Sequence, residues 1–256
     1  MIRNDTKTIS SDNRLTLADL SSEGTDTHDL ILCLETATEV CSVAIGRAGR
    51  TLTIHEIDSG YVHASQLSVL VERCLADLRI ALTEVAAVAV SSGPGSYTGL
   101  RVGISAAKGY CMALSIPLIG IDTLTCLAQG ARATVPGVSS IRYIPMIDAR
   151  RMEVYTAQYD ENLSQIRAAE ALILDENSFQ DEINTGKQLV CTGNGAHKFA
   201  GIFHHSAVKF INKPCSASDL MVLAEERFRE KNYSTARFFT PIYLKSPHIT
   251  QPNKVL

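Results

Sequence analysis

The chain carries no excess of positive charge. Its 24 Lys and Arg stand against 27 Asp and Glu, giving a formal net charge of −3 and a pI near 6.2. No global basic field draws it to nucleic acid, so contact with RNA would need a local patch or a basic partner. It also lacks an apolar run of the roughly 20 residues that a membrane span requires. Residues 1–29 have no apolar signal-peptide core and read as a polar, disordered extension, with a short amphipathic helix around 14–20. The seven cysteines include no CxxC pair. Their odd number and scatter read as reduced core thiols of a cytoplasmic protein rather than a disulfide framework. HExxH, Cys/His clusters and the phosphate loop GxxxxGK[ST] are absent too.

What is present is a 45% hydrophobic chain of 256 residues, enough for one large domain or two small ones. It is organised around residues 91–108, SSGPGSYTGLRVGISAAK. The apolar run 85–90 leads in as a buried strand, and Gly93, Pro94 and Gly95 force a tight turn. Ser96 or Thr98 then caps a helix through 114. Gly99, Gly103, Ala106 and Ala107 leave one face of that helix nearly bare, fit for close approach of another backbone within the fold or from a partner. A Gly-rich turn at a helix N-terminus is also where anions bind, so both readings stand.

Patterning gives strands at 30–34, 41–47, 50–57, 85–90 and 117–121, and helices at 64–79, 98–114 and 123–133. A second set follows: strands at 141–147, 153–159, 172–174 and 189–192, helices at 178–183 and 218–231, and a further helix opened by Gly193-Asn194-Gly195. The stretches 90–95 and 190–195 match in shape at an offset of 100 residues, and Glu35 and Asp148 each follow the first strand of a set. Two copies of strand–carboxylate and strand–GxG imply a duplicated α/β fold with a cleft between halves.

Several of these stretches resemble the TsaB (YeaZ) family: SGPGSYTGLRVG at 92–103, IPLIGIDTL at 116–124, LETATEVCSVAIG at 34–46, IDARRMEVY at 147–155 and PIYLK at 241–245. The resemblance implies the two-lobed actin/Hsp70/sugar-kinase-like (RNase-H-like) fold, with mixed sheets and flanking helices. It would place 30–122 plus 217–245 in a first lobe, 123–216 in a second, degenerate lobe, and 246–256 in a tail. It implies a non-catalytic, cytoplasmic partner of TsaD in making N6-threonylcarbamoyladenosine (t6A) at A37 of ANN-decoding tRNAs. TsaE would join the complex, a homodimer would form without TsaD, and tRNA would be met only within the complex. No membrane and no cofactor are implied.

The catalytic relative TsaD carries a His-x-x-x-His metal motif; Thr123 and Leu127 stand at the matching positions, and its third ligand, an Asp, matches 215–217, Cys-Ser-Ala. A metal-dependent transferase without its ligands cannot run the family chemistry, so a pseudo-enzyme without a metal site is expected. The resemblance puts the partner interface on the helices from His63 and Thr98, with His63, Leu67, Val71, Tyr97, Leu100, Arg101, Gly103, Ile104 and Ala107 as contact residues. Glu35, Thr36, Gly93, Gly95, Asp148, Gly193 and Gly195 are candidates for cleft or anion contacts, and Arg101, Lys108, Arg150 and Arg151 for phosphate contacts. Two other readings stay open. A nucleotide-binding ATPase or small-molecule kinase of the same fold would hold nucleotide near Glu35, Gly93 and Gly193. A peptidase acting on TsaD would need a nucleophile such as Ser96 with His63.

Overall fold

The computed structural model describes residues 29–58, 63–135 and 140–245. The N-terminal extension, with the short helix expected at 14–20, and the C-terminal tail lie outside the described residues. Ten strands form two five-stranded sheets. The first sheet contains β1 (Leu30–Glu35), β2 (Val40–Arg47), β3 (Arg50–Asp58), β4 (Val85–Gly93) and β5 (Leu118–Asp122), in the order β3-β2-β1-β4-β5. The second contains β6 (Ile141–Asp148), β7 (Glu153–Tyr159), β8 (Gln165–Ile173), β9 (Gln188–Thr192) and β10 (Val208–Ile211), in the order β10-β9-β6-β7-β8. Helices α1 (His63–Leu78), α2 (Tyr97–Leu114) and α3 (Thr123–Thr134) intervene in the first half. Helices α4 (Gln180–Asn184), α5 (Ala196–Ala200) and α6 (Ala217–Arg229) do so in the second.

Each half runs strand–strand–strand–helix–strand–helix–strand–helix. In each, the first three strands form an antiparallel meander, and the last two add in parallel beside the first strand. This is the duplicated two-lobed α/β fold that the sequence implies. The halves are unequal: α2 has 18 residues and its counterpart α5 only five.

Side-chain alternation in β1 sets the layers. Leu30, Leu32 and Leu34 join Leu67, Leu70, Val71, Ile104 and Ala107 in a core under α1 and α2. Ile31 and Cys33 point the other way, into a core shared with α3, α6 and the second sheet. Glu35 continues that inward row by the two-residue period of a strand. Several inward positions of the first sheet are small, with Cys33, Ala44, Ala87 and Ala89 fully buried among Ile31, Ile119 and Ile121. That lets α6 lie against strands β1 to β5 while α3 packs on β6, β7 and β9. A third core holds Phe179 and Phe199 beneath α4 and α5, where Phe199 also contacts the rings of Phe203 and Phe210.

Local chemistry explains the helix ends. Ser96 caps α2 by accepting from Gly99 N at 3.2 Å, Asp122 caps α3 by accepting from Thr125 N at 2.9 Å, and Ser216 caps α6. The strand expected at 172–174 is the end of a longer one, Gln165–Ile173. Its first four residues are exposed, so this edge strand carries no apolar alternation to read. Strand β10 was not expected at all, being four residues at the opposite edge. The 178–183 helix begins later, at Gln180, because Phe179 takes a left-handed backbone.

The bare face of α2 is filled from within. A Cβ at Gly103 would overlap Thr36 Oγ1, and one at Gly99 would overlap the Thr36 carbonyl. Gly109, on the same helix, faces open space. Gly103→Ala should therefore destabilise the chain by about 1–3 kcal/mol through overpacking. Gly109→Ala should instead stabilise it by about 0.5–1 kcal/mol through helix propensity. Urea unfolding of the two variants checks this opposition of sign.

Candidate functional site

Two regions hold the residues singled out in the sequence: the seam between the sheets, and the outer face of α1 and α2. In the seam, Glu35 ends β1 completely buried. One carboxylate oxygen accepts from Ala37 N at 2.6 Å, and the other accepts from Ser91 Oγ and from Cys215 Sγ, the latter at 3.1 Å. Burial pushes the Glu35 carboxyl above its usual range, against the opposing pull of these donors. Asp148, its counterpart after β6, is exposed at the surface and paired with Lys198 Nζ at 2.6 Å. The duplicated carboxylates therefore do different things: one is enclosed, the other neutralised at a rim.

The two Gly loops are occupied by the chain itself. Gly93 has φ 113°, and its missing side chain makes room for the Ile242 carbonyl. Ile242 N donates to Ser92 O at 2.7 Å. Gly95 lies against Ala37, whose carbonyl accepts from Ser96 N at 2.7 Å. Gly193, φ 92°, sits against the Met146 carbonyl, and Gly195 N donates to that same oxygen at 2.9 Å. These contacts supply the close-packing role of the GxG turns. Across the seam, Asn194 Nδ2 donates to Glu39 Oε2 at 2.6 Å and Asn194 Oδ1 accepts from Asp148 N. Lys245 crosses from the C-terminal segment to Glu153 at 2.6 Å. The sequence pattern gave no sign of either bridge, since each joins residues more than 90 positions apart.

The metal that the resemblance attributes to TsaD finds no ligand set at the matching positions. Leu127 offers only an alkyl chain, packed toward Gly193, and Thr123 a single buried hydroxyl. Neither replaces an imidazole. Ser96 Oγ is engaged as the cap of α2, accepting from Gly99 N. The side chain of His63, which opens α1, lies outside the described residues.

On the outer face the sequence expectation needs correction. Leu67, Val71, Leu100, Gly103, Ile104 and Ala107 are buried within the chain, beneath the surface rather than on it. Helical spacing identified their stripe but could not say that the stripe faces the first sheet. Of the expected contact residues, Tyr97 and Arg101 are exposed; the Arg101 guanidinium lies 4.1 Å from the Tyr97 ring, and its Nε donates to Tyr243 Oη at 3.2 Å. The surface of α2 is made instead by Ser105, Gly109, Met112 and Ala113, with Met112 63% exposed. Among the phosphate candidates, Lys108 Nζ donates to Phe239 O at 3.0 Å, while Arg150 and Arg151 sit in the exposed β6–β7 turn.

Comparison with known proteins fits this architecture. A family model described as "TsaD: tRNA N6-adenosine threonylcarbamoyltransferase" matches residues 58–251. The chain is 30% identical over 222 residues to "tRNA threonylcarbamoyladenosine biosynthesis protein TsaB" of Escherichia coli, covering 84% of this chain and 94% of that one. The protein of the same name from Haemophilus influenzae is 28% identical, with 84% and 93% covered. Among solved structures, YeaZ from Pseudomonas aeruginosa superposes with a TM-score of 0.69 at 27% identity, over 84% of this chain and all of that one.

Glu35, Asp122 and Asp219 are all held above the usual carboxylate range, burial being the main cause for each. As pH rises, the unfolded chain loses these protons first, so it binds fewer protons than the folded one. Stability should therefore fall as pH climbs above the ordinary carboxylate range, until the folded groups also ionise. Urea midpoints measured from pH 4 to 7 should decline, and Glu35→Gln should flatten that slope.

Proposed function

Because this chain belongs to the TsaB (YeaZ) family, we propose that it is a non-catalytic scaffold for t6A formation. It holds TsaD in a productive arrangement while TsaD transfers threonylcarbamoyl to A37 of ANN-decoding tRNAs, with TsaE in the same cytoplasmic complex. The observation that carries the non-catalytic role is the pair Thr123 and Leu127, buried where the catalytic relative would need two metal-binding histidines. Among the described residues no helix is long and apolar enough to cross a membrane.

The docking face we assign is the outer surface of α1 and α2, corrected by burial. Ser105, Gly109 and Ala113 are exposed and small, so a partner helix could approach closely, and Met112 supplies an adaptable apolar contact. Tyr97 and Arg101 flank it at the start of α2. The same face serves a second copy when TsaD is absent. A nucleotide reading has less support: Glu35 is enclosed, Asp148 is paired with Lys198, and the Glu39–Asn194 bond spans the seam.

The test is modification of tRNA by TsaD, TsaE and the threonylcarbamoyl-adenylate synthase, with and without this chain. Product should require it. Gly109→Arg should leave the fold of the isolated chain intact by circular dichroism, with a melting temperature no lower than that of the parent, yet abolish both product and co-elution with TsaD. Gly103→Arg is unsuitable, because it strikes Thr36 inside the fold. Equal product without the chain would end the scaffold reading. Undiminished co-elution of Gly109→Arg would move the docking face elsewhere.

A further inference from the structure

The most unusual chemistry in the molecule lies at neither the docking face nor the Gly loops. Glu35 from β1, Cys126 from α3 and Cys215 from the segment before α6 converge in the seam, fully buried or nearly so. Their ligand atoms all lie within 4.8 Å of one another. Cys215 Sγ is 3.3 Å from Cys126 Sγ and 3.1 Å from Glu35 Oε2. We propose that Glu35, Cys126 and Cys215 form a structural site for a thiophilic divalent cation of the zinc class, which ties β1, α3 and the start of α6 together.

Three observations support the site. Two sulfurs and one carboxylate oxygen are a borderline-soft donor set, which favours zinc over magnesium or calcium. Zinc–sulfur bonds of about 2.3 Å set a tetrahedral ligand edge of about 3.8 Å. The observed sulfur–sulfur distance of 3.3 Å is thus that of a site needing only a small expansion to admit the ion. The Glu35 carboxylate is oriented by Ala37 N–H and Ser91 O–H, the kind of outer hydrogen bonding that fixes a metal-binding carboxylate.

The charges are tractable. Two thiolates and a carboxylate bring three negative charges against the two positive charges of the ion. The donors on Glu35 spread the remaining charge, and the neighbouring Lys213–Asp219 ion pair, at 2.8 Å, is neutral in sum. Without an ion, burial keeps both thiols protonated at neutral pH, the Cys126 thiol being pushed up to about 11. A bound dication replaces those protons. The ligands differ from the Thr123 and Leu127 positions of the catalytic relative's motif, and the ion would be enclosed, with a holding rather than a reacting role.

The test uses the full chain, purified reduced, stripped by chelator and titrated with Co2+ and then Zn2+. One equivalent of Co2+ should give thiolate-to-metal charge-transfer absorption that Zn2+ abolishes, and Zn2+ should raise the melting temperature. Loss of outer hydrogen bonds alone weakens metal sites by about 10–100-fold, so Cys126→Ser and Cys215→Ser should each weaken binding by more than about 100-fold. Cys191→Ser, in the separate core under α4 and α5, should leave it unchanged. If the cysteine variants do not fold, Glu35→Gln decides, since it keeps the side chain's shape and should also weaken Co2+ binding. No thiolate absorption at one equivalent, absorption that survives both cysteine changes, or unaltered affinity in folded Glu35→Gln would each overturn the proposal. So would a Cys126–Cys215 disulfide found in place of metal uptake.

Discussion

The return of α6 to the first sheet is the contact on which the rest depends. It needs a flat, small-residue surface, and Cys33, Ala44, Ala87 and Ala89 provide one. Larger side chains there would hold the helix off and open the core that joins the two halves. Ala217 N donates to Ser42 Oγ at 2.6 Å, fixing the start of α6 against β2. With α6 on the first sheet and α3 on the second, the halves share one continuous core rather than meeting across a wet cleft.

That sharing changes what a duplicated strand–carboxylate unit can do. In an open cleft, two carboxylates and two Gly turns would face a ligand between the halves. Here Glu35 is sealed among thiols and hydroxyls, and the Gly turns receive the carbonyls of Ile242 and Met146. Glu39, Asn194, Lys245 and Glu153 clasp the rim. The fold keeps the layout of a binding cleft while its contents are protein. The exposed side of α2, by contrast, carries small residues at Ser105, Gly109 and Ala113.

Much of this was legible in residues. The apolar runs of β1 and β4 read as buried strands, because a strand covered on both faces carries apolar side chains on both. The match of 90–95 with 190–195 disclosed the duplication, since only Gly takes the backbone angles seen at 93 and 193. The first part of β8 and all of four-residue β10 escaped because edge strands need little apolar patterning: their pairing comes from backbone groups.

Taken alone, the sequence determined most strand and helix types, the twofold repeat and the family, because each is carried by local pattern or by motif. Tertiary structure decided which side of each pattern faces what. Spacing showed that Gly99, Gly103 and Ala107 form one stripe, but only packing turned that stripe onto Thr36 and the first sheet and left Gly109 in the open. It also brought Glu35, Cys126 and Cys215 together from positions 91 and 89 residues apart. Distance along the chain carries no record of such meetings; they follow from two sheets and two helices closing on a shared core.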